Sequence, residues 1–143
     1  MSDVPPTESD AFSSTPLQPF EATALGASLT VADLGASLAW YRDVLGFTIS
    51  REFERAGVPF AARLTAGSVA ILLTQDNGAK GSERAKGEGF SLQFTTAQNV
   101  DDLATRAKAS GVALETEPAD VWGARVFRLR DPDGFRLVIS SER

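Results

Sequence analysis

Four arginines are the residues best placed to do chemistry: Arg63, Arg128, Arg130 and Arg136. Strand alternation puts all four on the same side of their sheets, the side opposite the main apolar face. A guanidinium there grips a carboxylate, phosphate or enolate through paired hydrogen bonds. Arg130 and Arg136 fall at a hairpin end, where plain solvation is the expectation. Arg63 and Arg128 stand open between a binding role and a structural one. Alternation adds Leu72, Ser91, Gln93 and Val138 as apolar and small polar walls, with Ser28, Thr30 and Thr74 nearby. Trp122 has the parity of Arg128. It either forms a flat wall against a planar ligand or is turned away by a bulge at Gly123.

What is missing bounds the chemistry as firmly. The 143 residues include no His and no Cys. A Ser-His-Asp triad, a Cys nucleophile, a Cys/His zinc site and a disulfide are all excluded. A metal would need oxygen ligands. Glu52, Glu54, Asp76 or Glu88 could serve as acid or base, but no convergent pair is visible and no nucleophile has an adjacent base. Gln75, Asp76 and Asn77 suit a turn better than a cation site.

Lys and Arg total 14 against 19 Asp and Glu, a net charge of -5, which argues against nucleic acid as a partner. No apolar stretch approaches the roughly 20 residues of a membrane-spanning helix. The first Lys or Arg is Arg42, so no targeting segment is expected. A soluble, cytoplasmic protein without a membrane partner is the expectation.

Residues 1–20, rich in Pro, Ser and acids, read as a flexible extension, and the folded part spans 21–143. Module one, 21–75, opens with a strand carrying Ala27, Leu29 and Val31 on one face and Gly26, Ser28 and Thr30 on the other. Asp33 caps a helix with Leu34, Leu38, Tyr41 and Leu45 on one stripe, ended by Gly46. Strands follow near 47–55, 58–65 and 68–75, with a tight turn at Ala66-Gly67 that pairs Leu64 with Val69. A Gly-rich charged loop, 76–89, reads as a linker rather than a lid built on Lys80, Arg84 and Lys86. In module two, 90–143, the order repeats: a strand at 90–96, a helix from Asn99 to Gly111, and strands at 112–117, 122–130 and 135–141.

The last hairpin can be registered from its residues. Asp131-Pro132-Asp133-Gly134 fits a type I turn followed by a left-handed Gly. Arg130 then pairs with Arg136 and Arg128 with Val138, and Phe127, Leu129, Phe135, Leu137 and Ile139 share one apolar face.

The stretches LTVADLGASLAWYRDVLGF and FRLRDPDGFRLVIS resemble the vicinal oxygen chelate superfamily, which includes glyoxalase I, bleomycin resistance proteins and extradiol dioxygenases. The likeness spans roughly residues 22–142 in the expected order. It implies an α+β fold of two βαβββ modules whose curved mixed sheets form a cleft, with helices packed outside. Members with metal chemistry place four ligands on the cleft face. Here those positions fall on Gly26, Leu72, Ser91 (or Phe90) and Val138, none of which can hold a metal in the usual way. No metal and no cofactor are therefore expected, and glyoxalase I or dioxygenase activity is not. The implied protein binds a small anionic or carbonyl-bearing molecule in its cleft. One alternative is a metal-independent lyase or isomerase in which Arg128 stabilises an oxyanion. Another is an interaction module docking through Trp40 and the extension. The resemblance, with Trp40, also suggests a homodimer.

Overall fold

The structure is a computed structural model that describes residues 18–79, 81 and 86–143, with the backbone of 2–3 and 7–9. A short parallel pairing of Ser2–Asp3 with Thr7–Ser9 stands apart from the main sheets. The rest of 1–17 lies outside the described residues, as do Lys80 and Arg84.

Module one runs β1 (Ala27–Val31), α1 (Leu34–Trp40), a wider helical turn (Tyr41–Leu45), β2 (Thr48–Arg55), β3 (Val58–Ala66) and β4 (Val69–Gln75). Module two runs β5 (Ser91–Thr96), α2 (Val100–Ala109), β6 (Thr116–Val121), β7 (Ala124–Arg130) and β8 (Arg136–Ser141). The sheets are ordered β1-β4-β3-β2 and β5-β8-β7-β6. In each, the first strand runs parallel to the last and the other pairs are antiparallel. The expected strand-helix-strand-strand-strand order therefore occurs twice.

Local chemistry explains the boundaries. Asp33 Oδ1 accepts from Ala36 N at 3.0 Å and Asn99 Oδ1 from Asp102 N at 3.0 Å, each satisfying a free amide of the first helical turn. Gly46, at φ 83°, ends the first helix in the left-handed conformation that its missing Cβ permits. The wide turn before it buries Val44 and leaves Leu45 half-buried, although strict 3.6 periodicity selects Leu45.

Register follows the sequence in one hairpin and departs from it in three other places. β7 and β8 pair Arg130 with Arg136 and Arg128 with Val138, and Asp131 N donates to Phe135 O at 2.9 Å. Between β3 and β4 the pairing is Ala66 with Val69 and Leu64 with Ile71, two residues from the expected Leu64–Val69. A shift of two leaves every side chain on its expected face. The strand expected at 112–117 is β6, at 116–121. It closes tightly on β7, so Trp122 and Gly123, at φ 52° and 82°, form a two-residue turn. In β2, Ile49 pairs with Leu64 and Arg51 with Arg63, leaving Ser50 as a bulge whose hydroxyl donates to Arg63 O at 3.0 Å. The bulge reverses the faces beyond it and sets Arg51 beside Arg63.

One apolar core serves both modules. Leu29, Val31, Leu64 and Leu73 of the first sheet join Phe127, Leu129, Leu137 and Ile139 of the second in a single buried cluster, with both helices in it. Phe47, which leads into β2 at the far edge of the first sheet, sets its ring 5.8 Å from that of Phe94 on β5. That distance is too short for sheets joined edge to edge along β1 and β5, where β2 and β5 would lie four strand spacings of about 4.8 Å apart. The sheets therefore meet through their helix-covered faces. Their other faces, which stay open, turn away from the shared core.

Candidate functional site

The open faces carry two matching rows. On the first sheet Ser28 pairs with Leu72, Leu72 with Arg63 and Arg63 with Arg51. On the second, Gln93 pairs with Val138, Val138 with Arg128 and Arg128 with Thr116. Strand for strand, Arg63 and Arg128 occupy the same place in their modules, each beside the residue at the last-strand ligand position, Leu72 or Val138.

The rows differ from the hairpin end in how their cations are matched. Arg136 gives Glu115 a two-pronged contact, Nε to Oε1 at 2.9 Å and Nη2 to Oε2 at 3.0 Å. Arg130 donates to the same carboxylate at 3.2 Å and to Gly134 O at 2.8 Å. These arginines hold the Glu115 carboxyl below its ordinary pKa, mainly through the Arg136 hydrogen bond. Lys86 lies between Asp76 and Asp133, at 3.0 and 3.5 Å, with all three side chains nearly out of solvent. By contrast, Arg51, Arg63 and Arg128 have no carboxylate within 4 Å among the described residues. Arg63 is exposed and reaches only the Ser50 hydroxyl, at 3.3 Å. Arg128 is half-buried.

The walls are built as alternation requires. Val138 is 8% exposed and packs with Val121, Ala124 and Val126 into a small apolar floor beside Arg128. Leu72 and Ser91 are half-buried and Gln93 is exposed. Thr30 and Thr74 satisfy each other at 3.4 Å. A concavity of about 500 Å³ lies at the β7–β8 hairpin end, with Lys86, Phe90, Arg130 and Arg136 in its lining.

Trp122 does not join the site. As the first residue of the β6–β7 turn it is 87% exposed, because β7 starts at Ala124 rather than at residue 122 and the strand position that parity gave Trp122 becomes a turn. Trp40 is half-buried, edge-on to Tyr41 at 5.0 Å between ring centres. Gln75, Asp76 and Asn77 do turn chemistry: Gln75 brackets Ala32 O and Leu34 N, while the Asp76 and Asn77 side chains accept from Gly78 N and Ala79 N. Two participants escaped the sequence. Arg51 depends on the bulge at Ser50, which no residue pattern announces. Glu115 precedes β6, whose start the sequence set four residues too early.

The residues do not fit a metal. Gly26, Leu72 and Val138 offer no side-chain donor, and Ser91 offers only a neutral hydroxyl, a poor ligand for a divalent cation. Among the described residues no three His, Cys, Asp or Glu side chains converge as a ligand set.

The family model of the Glyoxalase/Bleomycin resistance protein/Dioxygenase superfamily matches residues 23–139. The chain belongs to that superfamily. Solved structures share the vicinal oxygen chelate fold of this superfamily member. A glyoxylase/bleomycin resistance protein/dioxygenase domain from Frankia sp. EAN1pec is 22% identical, with a TM-score of 0.70 over 87% of this chain and 94% of that one. An integron cassette protein from the mobile metagenome of V. cholerae is 25% identical, with a TM-score of 0.69 over 88% of this chain and 100% of its own. TioX from Micromonospora sp. ML1 is 20% identical, with a TM-score of 0.67 over 85% and 100%. No curated protein matches. In the described residues of this superfamily member no helix is long and apolar enough to cross a membrane.

Proposed function

We propose that this protein is a metal-free member of its superfamily that binds a small anionic or carbonyl-bearing molecule on its open sheet faces, with Arg63 and Arg128 orienting it. One observation carries the reading: among the described residues Arg128 is half-buried and has no counter-ion, whereas Arg130 and Arg136 share Glu115. A partly desolvated cation without a partner is unfavourable, and an incoming anion supplies what is missing. Leu72, Ser91, Gln93 and Val138 form the surroundings of that anion.

The reading includes a homodimer. Because the two open faces of one chain turn away from each other, a second copy is what brings a face from sheet one against a face from sheet two.

Native mass spectrometry of freshly purified protein, followed by calorimetric titration of carboxylates into wild type and Arg128→Ala, tests this. A dimer mass, a bound organic mass and loss of binding in the variant support it. A stoichiometric metal mass, or carboxylate binding equal in both proteins, overturns it. Catalytic turnover lost with Arg128→Ala would place Arg128 at an oxyanion and make the protein an enzyme.

A further inference from the structure

Two pairs of arginines stand directly opposite each other across antiparallel strands: Arg130 with Arg136 on β7 and β8, and Arg51 with Arg63 on β3 and its edge neighbour β2. Like charges placed this way repel. The first pair has its remedy close by. Glu115 accepts from both guanidiniums, and Glu88 lines the concavity that they share. The second pair has the same cross-strand register and no carboxylate within 4 Å among the described residues. Glu52, next in sequence to Arg51, pairs with the buried Ala62 and so takes the opposite side of the strand.

Both guanidiniums are nonetheless held in place. Arg51 lies over the Phe53 ring, with Cζ 4.8 Å from the ring centre, and Arg63 Nη1 donates to Ser50 Oγ at 3.3 Å. A ring face and a hydroxyl fix an arginine without neutralising it, and a stacked guanidinium keeps its edge donors available. Among the described residues Arg51 donates no hydrogen bond, and Arg63 makes only the one. Arg55 has its own place over Phe60, at 4.5 Å, and lies outside the pair. It stands four residues further along β2, about 13 Å by strand rise. What fits Arg51 and Arg63 is one group that carries two charges and spans the roughly 4.8 Å between neighbouring strands. A carboxylate supplies a single charge. A phosphate monoester supplies nearly two at neutral pH, and its terminal oxygens can take an edge of each guanidinium. We infer that Arg51 and Arg63 form a binding site for the doubly charged phosphoryl group of a small phosphate monoester. The inference rests on the binding reading above, names the anionic group at its Arg63 end, and needs only the open face of the first sheet.

The test is calorimetric titration of phenyl phosphate, phenyl sulfate, benzoate and inorganic phosphate into the full-length protein at about pH 8, where the monoester is fully ionised. Phenyl sulfate has the same tetrahedral shape with a single charge, so it separates charge from geometry. The expected result is that phenyl phosphate binds wild type at least about tenfold more tightly than phenyl sulfate or benzoate. Arg51→Gln and Arg63→Gln should each abolish that advantage, and Arg55→Gln should keep it. Arg51→Lys and Arg63→Lys retain the charge and should retain part of the advantage, which separates lost binding from lost folding. Equal binding of phenyl phosphate and phenyl sulfate, or an advantage that survives Arg51→Gln, overturns the inference and leaves the anion-binding reading intact. Inorganic phosphate bound as tightly as phenyl phosphate assigns the site to the free ion and overturns the monoester. Binding of none of the four anions to folded wild type removes both readings.

Discussion

The Tyr41 hydroxyl donates a 2.7 Å hydrogen bond to Asp131 Oδ2, joining the helix of module one to the last hairpin of module two inside the shared core. The other carboxylate oxygen accepts from the backbone amides of Asp133 and Phe135, both at 2.9 Å, so the same side chain also shapes the turn. Tyr41→Phe keeps the ring and deletes one donor, leaving a buried carboxylate oxygen unmatched. A loss of about 1.5–3 kcal/mol in urea unfolding is expected, because hydrogen bonds to charged groups fall in that range. A loss indistinguishable from zero would mean that solvent reaches Asp131.

Asp131 also predicts a pH dependence. Burial raises its pKa above 3.8, outweighing the Tyr41 and backbone hydrogen bonds that lower it. A raised folded pKa means that the native state binds the proton more tightly than the unfolded chain does. The stabilisation this gives is present below 3.8 and lost as pH rises through the folded value. Asp131→Asn keeps an acceptor for the two amides and removes the titration. Its stability relative to wild type should therefore improve as pH is raised from below 3.8, in chemical unfolding followed across pH. A constant difference across that range would contradict the assignment.

Arg128 is expected to be dispensable for folding. No acid among the described residues depends on it, so Arg128→Met, which keeps much of the volume, should leave the thermal midpoint unchanged or raise it slightly. The corresponding stability change is within about 0.5 kcal/mol, as for substitutions that break no network. A large drop in midpoint would show that the guanidinium holds the sheet together rather than waiting for a ligand.

Trp122 carries backbone strain. Its φ of 52° is a left-handed conformation that a bulky side chain adopts at a cost of roughly 1–2 kcal/mol. Its exposed ring gains little burial in return. Trp122→Asn places an asparagine directly ahead of Gly123, the Asn-Gly order that two-residue hairpin turns favour, and should stabilise the protein by about 1 kcal/mol in urea unfolding. Fluorescence should then report only the half-buried Trp40. Destabilisation would mean that the indole covers a surface in the assembled protein.

Much of the fold was legible because it rests on local rules. The alternation of Phe127, Leu129, Leu137 and Ile139, the DPDG turn and the Asp33 and Asn99 caps each depend on residues close in sequence. Hydrophobic period and turn stereochemistry therefore determine them. The lack of metal donors at Gly26, Leu72 and Val138 was equally legible, being a matter of residue type. Arg63 and Arg128 were placed correctly on their faces because the strands that carry them keep parity.

The tertiary structure decided what depends on partners far along the chain. Whether an arginine is free or matched turned on Glu115, which reaches Arg130 and Arg136 across 15 and 21 residues. Whether Arg51 joins Arg63 turned on one unpaired residue in β2. The direction in which the open faces turn followed from Phe47 meeting Phe94 and Tyr41 meeting Asp131 across the core. Local pattern gives each strand its two faces. Only long-range packing chooses what each face meets, because that choice is made by the sum of many weak contacts and not by any one residue.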